Sequence, residues 1–164
     1  QMAAMGIGLV YGGGRIGVMG AISEAVIEAG GEVIGIIPDF LLKKEVGNRE
    51  VTSLEIVGTM HERKARMVDL SDGFVILPGG LGTLDEFFEI VTWRQLGLHD
   101  KPIVVANLGG YWDRLGSLID GMVEANYVHS RQAAIVHVVD DIDAVLPMLK
   151  SLPGETHTPL TERT

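Results

Sequence analysis

The run Pro78-Gly79-Gly80-Leu81-Gly82-Thr83-Leu84-Asp85-Glu86 puts three glycines, a hydroxyl and two carboxylates into nine residues. Residues 73–77 before it read as a buried strand, and the residues after it carry a helical pattern. Glycines at such a turn bring bare backbone N–H groups close to an anion, and a helix N-terminus adds unpaired donors and partial positive charge. Gly79, Gly80, Gly82 and Thr83 therefore suit a phosphate. No Gly-Lys-Ser/Thr follows, so this is not a Walker loop, and nucleoside triphosphate hydrolysis is not expected. Glu86 has two readings. Thr83 and Glu86 have the spacing of a capping box, in which the carboxylate merely serves a backbone N–H at the helix start. A carboxylate beside an anion cradle is also costly unless a cation or a chemical task accompanies it. Spacing alone leaves both readings open.

A second glycine cluster, Tyr11-Gly12-Gly13-Gly14-Arg15-Ile16-Gly17, also follows a strand and opens a helix, and Gly12, Gly14 and Gly17 fit G-x-G-x-x-G. It could lie beside a phosphate or ribose, with Asp39 after the next strand as a ribose-binding acid. It could equally be a tight turn that lets helix and sheet pack closely. The third feature is Met60-His61-Glu62-Arg63-Lys64-Ala65-Arg66-Met67. Arg63 shares a helix face with Met60 and Met67, a semi-apolar setting in which its planar fork could hold a carboxylate or phosphate. Lys64 and Arg66 point elsewhere, and pattern favours a solvated basic face pairing with Glu62 and Asp69. His61 could be a general base, but a lone histidine more often has a structural role.

Six strands (7–11, 32–37, 55–58, 73–77, 102–106, 134–139) alternate with helices at about 16–29, 60–70, 83–97, 111–125 and 141–150. Runs such as Val33-Ile34-Gly35-Ile36-Ile37 and Ile103-Val104-Val105 read as strands buried on both faces. The alternation predicts an α/β fold with right-handed crossovers and a mostly parallel sheet flanked by helices. Ligands in such sheets bind beyond the carboxyl ends of the strands, where both glycine clusters fall. A single domain over residues 1–151 is expected, with 152–164 as a loose polar tail. Residue 1 is Gln and the chain runs almost at once into strand-like sequence, so an N-terminal strand and helix are expected to be missing.

Bulk properties narrow the classes. At 164 residues and 46 % apolar, the chain can bury a full core. It has no cysteine, which excludes disulfides and thiolate metal sites and suits a reducing compartment such as the cytoplasm. A net charge of −9 argues against nucleic acid as a partner. No apolar run approaches the roughly 20 residues of a membrane helix. No metal-binding cluster appears, and the chemistry considered below needs none.

In this order, Tyr11 to Gly20, Met60 to Lys64 and Pro78 to Glu86 resemble the Lonely Guy family, whose members were long labelled possible lysine decarboxylases. The resemblance runs over roughly residues 6–150, and P-G-G-x-G-T-x-x-E is its specific part. It implies a Rossmann-like, doubly wound fold and cleavage of the N-glycosidic bond of an N6-modified adenosine monophosphate, a cytokinin riboside 5′-monophosphate, to free base and ribose 5-phosphate. It implies no cofactor, and a homodimer or higher oligomer with the active site near the dimer interface. Arg63 and Glu86 would be the essential catalytic pair. Gly80, Gly82 and Thr83 would hold the 5′-phosphate, and Lys64, Glu45 and Thr92 would make further contacts. The expected substrate-binding set also takes in Gly13, Gly14, Met60, Gly79, Leu81, Leu84 and Asp85. The family's opening strand and Gly-Ser-Ser-type turn have no counterpart in this sequence.

Three rivals stay open: a broader nucleosidase acting on AMP or another nucleoside monophosphate, a non-catalytic nucleotide carrier, and a dinucleotide-dependent oxidoreductase. The G-x-G-x-x-G loop and Asp39 suggest the last, and the glycine run at residues 78–86 and the short chain count against it. Nothing in the sequence supports a pyridoxal phosphate site for lysine decarboxylation. Leu81, Met60, Trp93 and residues 39–45 are the candidates for a base-side pocket, with core packing as the alternative for each.

Overall fold

A computed structural model describes residues 1–42, 48 and 50–152. Glu45 and the expected tail beyond residue 152 lie outside the described residues. The chain divides into two compact units, Gln1–Ser71 and Asp72–Thr164, each built on its own three-stranded parallel sheet.

In the first unit, a 3-10 turn at Ala3–Met5 precedes β1 (Leu9–Tyr11), α1 (Val18–Glu28), β2 (Val33–Pro38), α2 (Asp39–Leu42), β3 (Ser53–Val57) and α3 (Met60–Leu70). The sheet order is β1-β2-β3, with Tyr11 opposite Gly35 and Pro38 opposite Val57. Central β2 is buried at every position but Ile34, as its unbroken apolar run predicts. Val26 of α1 packs with Tyr11 and Val33 to make the core, backed by Met2, Leu9, Met19, Ile27 and Val51. Strand β3 departs from the expectation of strands buried on both faces. Ser53 and Ile56 are exposed, so only part of this edge strand is covered.

Helix α3 begins where the sequence predicts, and its start is well explained. Thr59 is the N-cap and its Oγ1 accepts from the Glu62 N–H at 3.1 Å. The Glu62 carboxylate in turn accepts from the N–H groups of Thr59 and Gly58, at 3.3 and 2.7 Å. Two orphan donors are satisfied reciprocally.

The second unit runs β4 (Phe74–Ile76), α4 (Leu81–Gln95), β5 (Ile103–Ala106), a 3-10 turn at Leu108–Gly110, α5 (Asp113–Glu124), α6 (Ser130–Ala133), β6 (Val136–Val139) and α7 (Ile142–Ser151). Its sheet order is β4-β5-β6, all parallel. Central β5 is buried throughout, and Val104, Ala106, Val139 and Val145 form the core under Leu77, Leu108, Met148 and Leu149. Helix α4 is tied down at its far end by Arg94, which is buried and donates to the carbonyl oxygens of Lys101 and Ile135. The short helices α2 and α6 have no counterpart among the expected elements, because four residues are too few to show a period.

His99, in the turn after α4, is also buried. Its Nε2 faces the Ile90 carbonyl oxygen at 2.9 Å and its Nδ1 accepts from the Lys101 N–H at 3.2 Å. Those contacts fit the neutral ring, and Phe74 packs edge-on against it. Burial pushes the His99 pKa below the ordinary histidine value, with the charges of Arg94 and Lys101 adding to the effect. A depressed histidine means the folded chain binds fewer protons than the unfolded one. The stability His99 contributes is complete above about pH 6.5 and is lost as pH falls through the lower folded pKa. Unfolding free energy followed from pH 8 to pH 5 should therefore decline less steeply in His99→Gln than in the parent chain. Superimposable slopes would show that His99 carries none of the acid sensitivity.

Candidate active site

The glycine run of the second unit leads from β4 into α4. Helix α4 begins at Leu81, with Gly80 as an N-cap that offers no side-chain hydrogen bond. The first helical bond at this end joins the Leu84 N–H to the Gly80 carbonyl oxygen. The amides of Leu81, Gly82 and Thr83 thus occupy the helix positions whose donors lack intrahelical partners. A Cβ at Gly79 would press on the Thr83 hydroxyl, so a larger residue there would have to turn the Thr83 side chain aside. The Gly79 carbonyl oxygen accepts a hydrogen bond from the Tyr111 hydroxyl at 2.7 Å.

This geometry overturns the capping reading of Thr83 and Glu86. The helix starts two residues before the expected position, so Thr83 stands at N3 and Glu86 lies three residues deeper. Glu86 is half-buried and sits five residues past Leu81, a rise of about 7.5 Å along the helix. The other Thr-x-x-Glu run at a helix start, Thr59 to Glu62, does form a capping box.

Beyond Glu86, one face of α4 carries an open groove of about 450 Å³ lined by Leu84, Asp85, Phe88, Glu89, Thr92 and Trp93. The spacing of these residues at i, i+4 and i+8 places them along a single face. Leu84, Asp85, Thr92 and Trp93 are on the expected list. Phe88 and Glu89 are not, although the same helical spacing points to them. The Thr92 hydroxyl donates to the Phe88 carbonyl oxygen at 2.7 Å. Leu81, at 85 % exposure, stands out from the helix start.

In the first unit, Gly12, Gly13 and Gly14 are buried at the end of β1. Arg63 is only 7 % exposed. Its Nε donates to the Ile36 carbonyl oxygen at 3.2 Å and its Nη2 to the Gly12 carbonyl oxygen at 3.1 Å. Met60 Sδ lies 3.9 Å from Nη1, so the expected shared face of Met60 and Arg63 is present. A Cβ at Gly12 would fall on the guanidinium. The missing side chain at Gly12 thus makes room for an arginine, which is the close-packing reading of the first loop. Asn48 fastens the same loop. Its N–H donates to the Gly13 carbonyl oxygen, and its fully buried side chain donates to Ser23 Oγ.

The solvated-basic-face reading of α3 needs correction at Lys64, whereas Arg66 stays partly exposed and feels the charge of Asp69, with Glu55 in place of Glu62 as its ion-pair partner. Lys64 is buried, not solvated. Arg66 pairs bidentately with Glu55 of β3, at 2.7 and 3.0 Å, whereas Glu62 is taken up by the cap. The Arg66 hydrogen bonds hold the Glu55 carboxyl below its ordinary pKa. His61 and Asp39 are exposed, and Glu45 is outside the described residues. Of the expected site residues, Gly13, Gly14, Met60, Arg63 and Lys64 lie in the first unit, where Arg63 meets Gly12 and Met60. Gly79 to Glu86 and Thr92 lie in the second unit, with Leu84, Asp85 and Thr92 on one face of α4.

A family model described as possible lysine decarboxylase matches residues 19–149. A cytokinin riboside 5′-monophosphate phosphoribohydrolase of Arabidopsis thaliana is 41 % identical over 163 residues, covering 99 % of this chain and 74 % of that protein. The chain belongs to the Lonely Guy family. A second phosphoribohydrolase of the same name from Arabidopsis thaliana is 46 % identical over 136 residues. That alignment takes in 83 % of this chain and 63 % of the relative, a little under two thirds of its length. The Lonely Guy fold is also seen in solved structures of low identity. The molybdenum cofactor carrier protein of Chlamydomonas reinhardtii matches with a TM-score of 0.65 at 22 % identity, over 92 % of this chain and 80 % of that one. The molybdenum cofactor binding protein of Rippkaea orientalis matches with a TM-score of 0.64 at 24 % identity over the same shares. These two likenesses bear on the fold alone, and they agree with the α/β class expected from sequence.

Proposed function

We propose that this chain hydrolyses the N-glycosidic bond of a cytokinin riboside 5′-monophosphate, releasing free base and ribose 5-phosphate. The observation that carries the reading is the start of α4. Three glycines and the amides of Leu81, Gly82 and Thr83 form an anion cradle, and Glu86 follows about one and a half turns on, in a chain 41 % identical to a phosphoribohydrolase of that name. The 5′-phosphate would rest on the cradle, which positions the sugar and turns remote binding into catalytic geometry. The Glu86 carboxylate would then stabilise the oxocarbenium-like sugar and orient or deprotonate the attacking water.

Arg63 is the second catalytic residue of the proposal. Its two hydrogen bonds to carbonyl oxygens fix the guanidinium in place, so it would act as a positioned charge and not as a swinging arm. Gly13, Gly14, Glu45, Met60, Lys64, Leu84, Asp85 and Thr92 complete the proposed substrate-binding set, with the α4 groove as support for Leu84, Asp85 and Thr92. A homodimer belongs to the same reading, supported by the exposed apolar side chains of Leu81, Phe88, Leu96 and Leu98 on and just beyond α4. The proposed compartment is the cytoplasm. Among the described residues no helix is long and apolar enough to cross a membrane.

The test is product analysis with N6-isopentenyl-AMP, AMP and a pyrimidine monophosphate. Release of base and ribose 5-phosphate from the N6-modified nucleotide in preference to AMP is the expected result. Equal cleavage of all three would replace the cytokinin reading by a general nucleosidase. Tight binding without ribose 5-phosphate would replace it by a carrier.

A further inference from the structure

We infer that Tyr111 is a positioning residue for the phosphate cradle, holding the glycine loop in its anion-binding shape through the Gly79 carbonyl. The inference rests on the proposed phosphate role of residues 79–83 and adds a residue that lies outside that run.

A loop with two adjacent glycines has an unusually large set of backbone conformations to lose on ordering. The helix fixes the amides of Leu81, Gly82 and Thr83 and engages the Gly80 carbonyl oxygen, but Pro78 and Gly79 precede its first hydrogen bond. The Tyr111 hydroxyl donates to the Gly79 carbonyl oxygen at 2.7 Å, the ordinary distance for a well-formed O–H···O bond. That bond sets the orientation of the peptide joining Gly79 to Gly80, and therefore the direction of the Gly80 N–H at the mouth of the cradle. With its carbonyl engaged by the phenol, the peptide is held against a flip that would aim oxygen at an incoming phosphate.

Tyr111 is itself held by a built support. After β5, the chain turns through Leu108–Gly110, with Gly109 and Gly110 both left-handed at φ 62 and 74°. Asn107, 8 % exposed, anchors this turn. Its Oδ1 accepts from the Trp112 N–H at 2.7 Å, and its Nδ2 donates to Asp113 and Asp140, both at 2.9 Å. The backbone on either side of Tyr111 is thus pinned to the carboxyl ends of β5 and β6. The ring packs edge-on against buried Trp112, with centroids 4.8 Å apart. Tyr111 is nevertheless 53 % exposed, so core filling does not account for it. Its polar end makes the connection.

The test compares the parent chain with Tyr111→Phe, which keeps the ring on Trp112 and removes only the hydroxyl. Affinity for inorganic phosphate and for ribose 5-phosphate is measured by calorimetry, and KM and kcat are measured for a nucleoside monophosphate. Affinity for both phosphates should fall about 3- to 10-fold, as expected for one neutral hydrogen bond. KM should rise by a similar factor, kcat should change less than twofold, and the midpoint of thermal unfolding should stay the same. Phosphate affinity equal to that of the parent chain would overturn the role. So would a fall in kcat with KM unchanged, or a loss explained by lower thermal stability. If the parent chain binds neither phosphate, the phosphate reading of the loop is what fails, and the variant comparison separates that outcome from failure of Tyr111 alone.

Discussion

Glu86→Gln is expected to fold as the parent chain does and to lose about 10²-fold or more in kcat, which corresponds to about 2.7 kcal/mol of transition-state stabilisation. The prediction is sharper for the position of the residue in α4. A glutamate at N3 of a capping box could be replaced by glutamine with its structural duty preserved, and a glutamate away from the cap has no capping bond to lose. Helix α4 starts at Leu81, so Glu86 is in the second situation. The amide keeps the size of the carboxylate and removes only its charge and basicity. Those are the two properties that the oxocarbenium-like sugar and the attacking water need. Turnover within a few-fold of the parent chain, measured on the same preparation as an unchanged thermal midpoint, would remove Glu86 from the mechanism.

Arg63→Ala and Gly12→Ala should each be strongly destabilising, and should be so for the same reason. Arg63→Ala leaves the Gly12 and Ile36 carbonyl oxygens without their charged donor. Unsatisfied buried groups of this kind cost about 1–3 kcal/mol each, so a loss of roughly 2–4 kcal/mol is expected. Gly12→Ala puts a methyl group where the guanidinium lies and expels it from both carbonyls, with a loss of similar size. The double variant should be less destabilised than the sum of the two by about 1 kcal/mol or more, because the methyl then enters space already vacated. Denaturant unfolding of the four chains measures this directly. Additive losses would mean that the contact carries no coupling. Below the unfolding temperature, Arg63→Ala should also be inactive. Normal turnover in the folded variant would leave Arg63 as a packing residue alone.

Of the three Thr-x-x-Glu runs in the sequence, two stand at helix starts, Thr59 to Glu62 and Thr83 to Glu86. Only the first becomes a capping box. Local spacing is the same in both, so it cannot separate them. In the second run the preceding glycines let the chain enter the helix at Leu81, which carries Thr83 past the cap position. Strands β2 and β5 were legible because burial on both faces demands an unbroken apolar run, and each has one. Edge strand β3 was harder to bound, since Ser53 and Glu55 are polar and Ile56 is exposed. The glycine loop before α4 was legible as a strand-to-helix turn because its logic is local. The first loop was less so, because the group that fills the space beside Gly12 belongs to Arg63, 51 residues later. Tyr111 was invisible for the same reason. Its partner is 32 residues away, and a tyrosine after two glycines reads as an ordinary turn.

That last separation bears on the order in which the molecule matures. During synthesis, residues 78–83 leave the ribosome well before residue 111, and for that interval the Gly79 carbonyl has no phenol to meet. Closing the intervening loop requires β5 to be paired and its following turn to be set. Capacity to hold a phosphate should therefore lag behind the formation of α4 and appear with the docking of the β5 turn. A stalled nascent chain ending before that turn would carry the whole glycine motif and still bind its ligand weakly.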